Sequence, residues 1–144
     1  MLEIEQVAHV HPWSAALLAD SFGERYLAVG LWQIAPDQDA VLQGFYIADG
    51  LLDESTLHNI CVHPRGQGKG WGRQLLADYL QRSALRGSQQ WWLEVRASNT
   101  RARQLYERAG YQQVGLRRGY YRQGDGRSED ACVMQRLSSA DPLV

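Results

Sequence analysis

Every second residue from Gly66 to Gly72 is glycine, within the stretch His63-Pro64-Arg65-Gly66-Gln67-Gly68-Lys69-Gly70-Trp71-Gly72-Arg73. The strand-like run Ser55–Val62 leads into it, and a stripe of Leu75, Leu76, Tyr79, Leu80 and Ala84 at helical spacing follows. The chain must therefore pass from a strand through a glycine loop into a helix. Glycine lets the backbone take positive φ and approach a ligand closely. A helix start adds unpaired N–H groups and a positive dipole end, which makes an anion site suited to a pyrophosphate. Two phosphate loops are excluded. A Walker A loop needs Gly-x-x-x-x-Gly-Lys-Ser/Thr, but Gly68-Lys69 is followed by Gly70 and position 63 is His63. A dinucleotide Gly-x-Gly-x-x-Gly ends on Trp71, Arg73 or Leu75 when begun at Gly66, Gly68 or Gly70. What remains is Gln67-x-x-Gly70-x-Gly72. A ligand-free strand-to-helix turn is the competing reading, although a bare turn needs fewer glycines.

The rest of the chain is organised around this loop. Residues 2–8 read as a short helical turn, and Ser14 as the cap of a helix over 15–21. Tyr26–Ile34 and Val41–Ala48 read as an antiparallel hairpin across a turn at Pro36–Asp39. After the loop and its helix, closed by Gly87, come a strand at Gln90–Val95 and a helix capped by Ser98 or Asn99. That helix carries Ala102, Leu105, Tyr106 and Ala109 on one stripe and stops at Gly110. Strands at Tyr111–Leu116 and Ala131–Leu137 follow, with a turn at Asp125-Gly126 between them. The order predicts an α/β fold with a mixed sheet, its antiparallel N-terminal strands continuing into parallel β-α-β units through right-handed crossovers.

The 144 residues suit a single domain, 1–144, with one core. A net charge of −1 gives no general electrostatic case for nucleic acid or an anionic membrane. The basic residues cluster at Arg101–Arg108 and Arg117–Arg127, read first as solvated faces. Cys61 and Cys132 lie in apolar runs and are expected as buried free thiols. His9 and His11 have no third ligand nearby, so no metal is expected. No basic n-region opens the chain, and no apolar run nears the ~20 residues of a spanning helix, so a cytoplasmic location is expected.

Several further blocks are informative together: His11-Pro12-Trp13-Ser14, Gly23-Glu24-Arg25-Tyr26, Trp92-Leu93-Glu94-Val95-Arg96-Ala97-Ser98-Asn99, Leu105-Tyr106-Glu107, Gly110-Tyr111, Arg117-Arg118-x-Tyr120-Tyr121 and Asp125-Gly126-Arg127-x-Glu129-Asp130-Ala131. With the glycine loop, they resemble the GNAT family of N-acetyltransferases over nearly the whole chain, and within it the bacterial ribosomal-protein-alanine N-acetyltransferases of the RimI type. The resemblance implies acetyl-coenzyme A as co-substrate. It implies that the amides of Gly68, Lys69, Gly70, Trp71, Gly72 and Arg73 hold its pyrophosphate. Ile60, Cys61 and Val62 would pair with the pantetheine like an added strand, and Asn99 would hydrogen-bond the arm. Glu94 would be the general base and Tyr106 the general acid. The implied acceptor is a protein N-terminus, in the type case the N-terminal alanine of small-subunit ribosomal protein eighteen, with the enzyme a monomer or weak dimer.

Those roles are chemically reasonable. An α-amino group has a pKa of ~7.7–8, so a base must remove its proton near neutrality. Alternation puts Trp92, Glu94 and Arg96 on one strand face and Trp91, Leu93 and Val95 on the other. A carboxylate among apolar neighbours is a suitable base. The alternative is that Glu94 pairs with a basic residue at the sheet end; Arg96 is either that partner or faces substrate. Tyr106 would protonate the departing thiolate; otherwise it is a core tyrosine. A strand N–H near Val62 is a candidate oxyanion donor. Trp13, Tyr120 and Tyr121 are candidate walls of the acceptor groove, or else core packing. Asp53 and Glu54 are candidate contacts for a cationic N-terminus.

Three departures accompany the resemblance. The family opens with a strand before its first helix, and by match this chain begins inside that helix. The first strand is thus expected to be absent and the edge of Tyr26–Ile34 open. Gly119 replaces a usual polar residue before Tyr120-Tyr121, and the loop at Ala35–Ala40 is extended. Lysine side chains or small amines remain alternative acceptors, as does a coenzyme-binding protein without turnover.

Overall fold

A computed structural model describes residues 3–7, 14–20, 25–34, 39–66, 68–122, 124 and 126–138, the first two stretches by backbone alone. The elements are β1 (Glu3–Val7), β2 (Ser14–Asp20), β3 (Tyr26–Ile34), β4 (Val41–Leu51), β5 (Glu54–Val62), a 3-10 turn (Pro64–Gly66), α1 (Trp71–Leu85), β6 (Gln90–Arg96), α2 (Thr100–Arg108), β7 (Gln112–Arg122) and β8 (Ser128–Leu137). They form an eight-stranded mixed sheet in the order β1-β2-β3-β4-β5-β6-β8-β7. Neighbours run antiparallel except β5 and β6.

Two expectations are corrected. The positions read as a helical turn and a helix are the strands β1 and β2. Ala and Leu in Ser14–Asp20 favour a helix locally, but pairing with β3 satisfies the backbone groups along that edge and overrides propensity. The β3 edge expected to be open is thus covered, with Leu17 opposite Leu31. The second correction concerns the β6-α2-β7 unit. Its strands are parallel but not adjacent, because β8 folds back from β7 and inserts between them.

Both helices pack on one face of the sheet. Leu75, Leu76, Tyr79 and Leu80 of α1 and Tyr106 of α2 share a core with Leu27, Val29, Leu31, Tyr46, Ala48, Leu57, Trp91, Leu93, Val95 and Met134. Alternation in β6 is as expected: Trp91, Leu93 and Val95 are buried, while Trp92, Glu94 and Arg96 face away. Leu75 lies against Gly44, where a β-carbon would sit 2.7 Å from the Cys61 carbonyl oxygen and 3.0 Å from Leu75 Cδ1. Only glycine permits so close an approach of helix to sheet. Both helices end in Schellman turns. Gly87 N–H donates to the Ala84 carbonyl and Ser88 N–H to that of Ser83; Gly110 and Tyr111 do the same to Glu107 and Tyr106. Gly87 and Gly110 accordingly have φ of 104° and 97°.

Several polar groups inside this layer are paired, while among the described residues the buried Tyr111 hydroxyl has no hydrogen-bond partner. Tyr46 donates to Asp78 Oδ2 at 2.7 Å, where Arg82 Nε also donates at 2.8 Å. Ser55 gives its one proton to the Asp49 carbonyl at 2.8 Å, so the Tyr79 hydroxyl donates to Ser55 at 2.7 Å. Trp91 Nε1 donates to Ser83 Oγ at 2.7 Å. Burial raises the phenol pKa of Tyr46, Tyr79, Tyr106 and Tyr111. Native pKa values above the unfolded 10.0 mean that this stabilisation is intact below pH ~10 and is lost as pH rises beyond it. A base titration followed by tyrosinate absorbance and circular dichroism tests this. The buried tyrosines should ionise only with unfolding; their ionisation in a still-folded chain would contradict this.

Candidate active site

The site follows from a place where the sheet stops pairing. β5 and β6 pair in parallel from Glu54–Gln90 to Leu57–Leu93 and no further. At that point the β4–β5 register slips between Ile47 and Ala48, leaving His58 as the extra residue, and a bulge bends its strand. Beyond it β5 continues on β4, with Ile60, Cys61 and Val62 opposite Tyr46, Phe45 and Gly44. The two strands have parted, so among the described residues the β6-facing backbone edge of Ile60–Val62 has no strand neighbour. Such an edge can accept an extended chain with amide groups. Cys61 is exposed, correcting the expectation that it is buried: its strand has left β6, and its thiol donates to Asn59 Oδ1 at 3.1 Å. Cys132 is buried as expected.

The glycine loop caps the same end of β5. Gly68 and Gly70 have φ of 85° and 77°, and a β-carbon on either would meet nothing within 4 Å. Gly70 is the N-cap residue of α1, which has neither a side-chain cap nor an acid in its first turn. The helix ladder begins with Gln74 N–H donating to the Gly70 carbonyl at 3.0 Å, leaving the Trp71 and Gly72 amides ahead of it. The Lys69 ammonium lies 5.2 Å from the Trp71 ring centre. An open backbone concavity with a positive dipole end fits a pyrophosphate. Gln67 lies outside the described residues.

Glu94 stands one residue past the last β5–β6 pair. Its Oε1 accepts from Arg117 Nη1 of β7 at 2.7 Å, so the pairing alternative is observed, with Arg117 rather than Arg96. The carboxylate hydrogen bond raises the pKa of that guanidinium. Arg96 instead reaches Glu129 at 3.5 Å and lies 4.3 Å from the Tyr121 ring centre. Glu129 Oε1 accepts from Ser98 N–H at 2.7 Å, and Ser98, through its side chain first and then its backbone, lowers the Glu129 pKa together with Arg96. Asn99 is the cap of α2, its Oδ1 accepting from Ala102 N–H at 3.2 Å.

Tyr106 comes from the inner stripe of α2. It is 6% exposed and packs edge-on to Tyr111, with ring centres 5.8 Å apart. Burial, with Tyr121 and Cys61 nearby, pushes its phenol up to about 12. Tyr121 is also close enough to Glu94 for that carboxylate to raise its own pKa. One tyrosine thus lies within electrostatic reach of both groups expected to move protons.

Tyr120 and Tyr121 are not core residues. Tyr120 is 47% exposed and its ring centre lies 4.2 Å from the Arg117 guanidinium carbon. Gly119, with φ of 64°, forms the bend before them and donates its N–H to Asp130 Oδ1 at 2.9 Å. The fold gives this departure from the family pattern a purpose, since side chains rarely adopt that φ. Asp53 and Glu54 are misplaced as acceptor contacts: Glu54 pairs with Gln90 at the far ends of the strands from Glu94. Trp13, His9, His11, Asp125 and most of the turn at 36–39 lie outside the described residues. The contacts of Arg117 with Glu94, Glu129 with Ser98 and Asp130 with Gly119 are not foreseen from the sequence, although each of the three residues stands in a quoted block.

Residues 11–124 match the acetyltransferase (GNAT) domain family. The chain is 40% identical over 134 residues to the ribosomal protein bS18-alanine N-acetyltransferase of Haemophilus ducreyi, covering 93% of this chain and 89% of that one. It is 45% identical over 131 residues to the enzyme of the same name from Escherichia coli, covering 91% and 84%. The crystal structure of the ribosomal-protein-S18-alanine N-acetyltransferase from Escherichia coli superposes with a TM-score of 0.71 at 42% identity, over 83% of this chain and 74% of that one. The chain belongs to the GNAT acetyltransferase family.

Proposed function

We propose that this enzyme transfers acetyl from acetyl-coenzyme A to the N-terminal α-amino group of a ribosomal protein, with the alanine of ribosomal protein bS18 as the type case. The observation that carries the reading is the parting of β5 from β6, with Glu94 one residue past the last pair and Tyr106 near enough to Cys61 of the parted strand for that residue to act on its phenol. Relatives of that name, at 40% and 45% identity, support the acceptor. Acetyl-coenzyme A supplies an activated thioester. The amides of Gly68, Gly70, Trp71, Gly72 and Arg73 hold its pyrophosphate, that of Lys69 being turned to the Gly66 carbonyl at 3.2 Å; the edge Ile60-Cys61-Val62 aligns its pantetheine, and Asn99, through the amide group not used in capping, holds its arm. Glu94 takes the proton from the acceptor ammonium, directly or through one water, freeing the nitrogen lone pair. Tyr106, protonated at neutral pH, gives its proton to the departing sulfur. The Val62 N–H is the candidate donor to the carbonyl oxygen. Tyr120 and Tyr121 border the acceptor side.

Thiol release with acetyl-coenzyme A and matched peptides tests the acceptor. Preference for a free alanine N-terminus supports the reading, whereas modification at internal lysines alone would sink it. Saturable coenzyme binding without transfer would favour a binding protein.

The loop role has its own test. Gly70→Asp puts a carboxylate at the mouth of the loop, with Gly70→Asn, which bears the same strain from the φ of 77° but no charge, as the control. A second negative charge within a few ångströms of a pyrophosphate should raise the dissociation constant for acetyl-coenzyme A at least ~10-fold. Calorimetric titration measures it, and unchanged affinity would remove the loop from the coenzyme site.

A further inference from the structure

We propose that Arg117 is a positioning residue for the base: seated on Tyr120, it fixes one oxygen of Glu94 and leaves the other for the acceptor's proton. The inference rests on the base reading of Glu94 given above.

The pair is not made between neighbouring strands. β8 lies between β6 and β7, so Arg117 must reach across a whole strand to meet Glu94. The residues beneath allow this. Glu94 lies opposite Val133, and Val133 opposite Gly115, which has no side chain to stand in the way. One step along the same face, Ala131 lies between Arg96 and Arg117, and it is 0% exposed. A small residue there lets two arginine arms and two tyrosine rings cover the sheet.

The seating separates this contact from an ordinary surface pair. An exposed ion pair adds little to stability because two long side chains must be held in one geometry. Here an aromatic ring restrains the guanidinium from one side, and the carboxylate orients it from the other. The register slip between Arg117 and Tyr121, at Gly119, accompanies that arrangement. Tyr121 does the parallel service for Arg96, whose partner Glu129 holds the Ser98 N–H at the start of α2. The adjacent tyrosines, with ring centres 5.1 Å apart, therefore brace two arms. One arm ends on the base, the other on the turn that carries Asn99 and the helix of Tyr106. Among the described residues, Glu94 Oε2 has no hydrogen-bond partner, and it is the oxygen open to an incoming amine.

A base held by one oxygen is aimed; released, it samples rotamers that miss the amine. The test is a double-mutant cycle with Arg117→Gln and Glu94→Gln, with Arg117→Lys alongside, measured as kcat and acceptor KM by thiol release. Melting curves check folding. Arg117→Gln should lower kcat about tenfold and leave acceptor KM within about twofold. It should cost nothing further once Glu94 is Gln, because its effect passes through that carboxylate. Arg117→Lys should recover part of the loss. Unchanged kcat in Arg117→Gln overturns the proposal. So does a raised KM that persists beside Gln at position 94, which would make Arg117 an acceptor contact. Wild-type turnover from Glu94→Gln alone is a different failure, that of the base reading itself.

Discussion

Tyr106→Phe should slow turnover at least ~100-fold while leaving the fold and coenzyme affinity intact. Phenylalanine keeps the ring that packs edge-on to Tyr111 and retains nearly all the buried surface of a side chain only 6% exposed. It removes just the hydroxyl, for which the described residues supply no hydrogen-bond acceptor. A core tyrosine without a catalytic task would lose little by this change. A proton donor would lose its function, because a thiol has a pKa of ~8.5 and leaves more readily when protonated. With its phenol pushed up to about 12, Tyr106 carries its proton throughout the neutral range. Single-turnover acetyl transfer, with melting and coenzyme titration as controls, decides the matter. A near-wild-type rate from a folded variant would return Tyr106 to the core.

The largest effect on stability is expected at the junction of α1 with the sheet. Leu75 is fully buried and lies over Gly44, which has no side chain to move into vacated space. Leu75→Ala should therefore leave a cavity that collapses poorly, at a cost of about 2–5 kcal/mol. For a chain of this length that lowers the melting temperature by roughly 5–15 °C. Because α1 also presents the glycine loop, coenzyme affinity should fall as well. Chemical denaturation gives the first quantity, and a loss under ~1 kcal/mol would mean the helix repacks.

Much of this arrangement is visible in short-range pattern. The passage from strand to glycine loop to helix, the glycine stops at Gly87 and Gly110, the cap at Asn99 and the two faces of β6 all depend on residues within a turn or two of each other. Features that depend on distant partners are not visible in that way. Ser14–Asp20 carries helical propensity, yet the free edge of β3 makes it a strand. Cys61 has the surroundings of a buried residue until the slip near His58 carries its strand away from β6. The insertion of β8 between β6 and β7 brings Arg117 to Glu94 although 23 positions separate them. Alternation puts Glu94 on the open face of β6 but does not show the cation that pairs with it.

The end of β5–β6 pairing at Leu57–Leu93 also bears on how this enzyme can evolve. Zipping the strands together past that pair would add backbone hydrogen bonds to the sheet and close the gap proposed to take the pantetheine. Variants selected only for heat resistance should include changes that shut this gap, and they should be inactive. Improvements compatible with catalysis belong elsewhere, in the layer between α1 and the sheet.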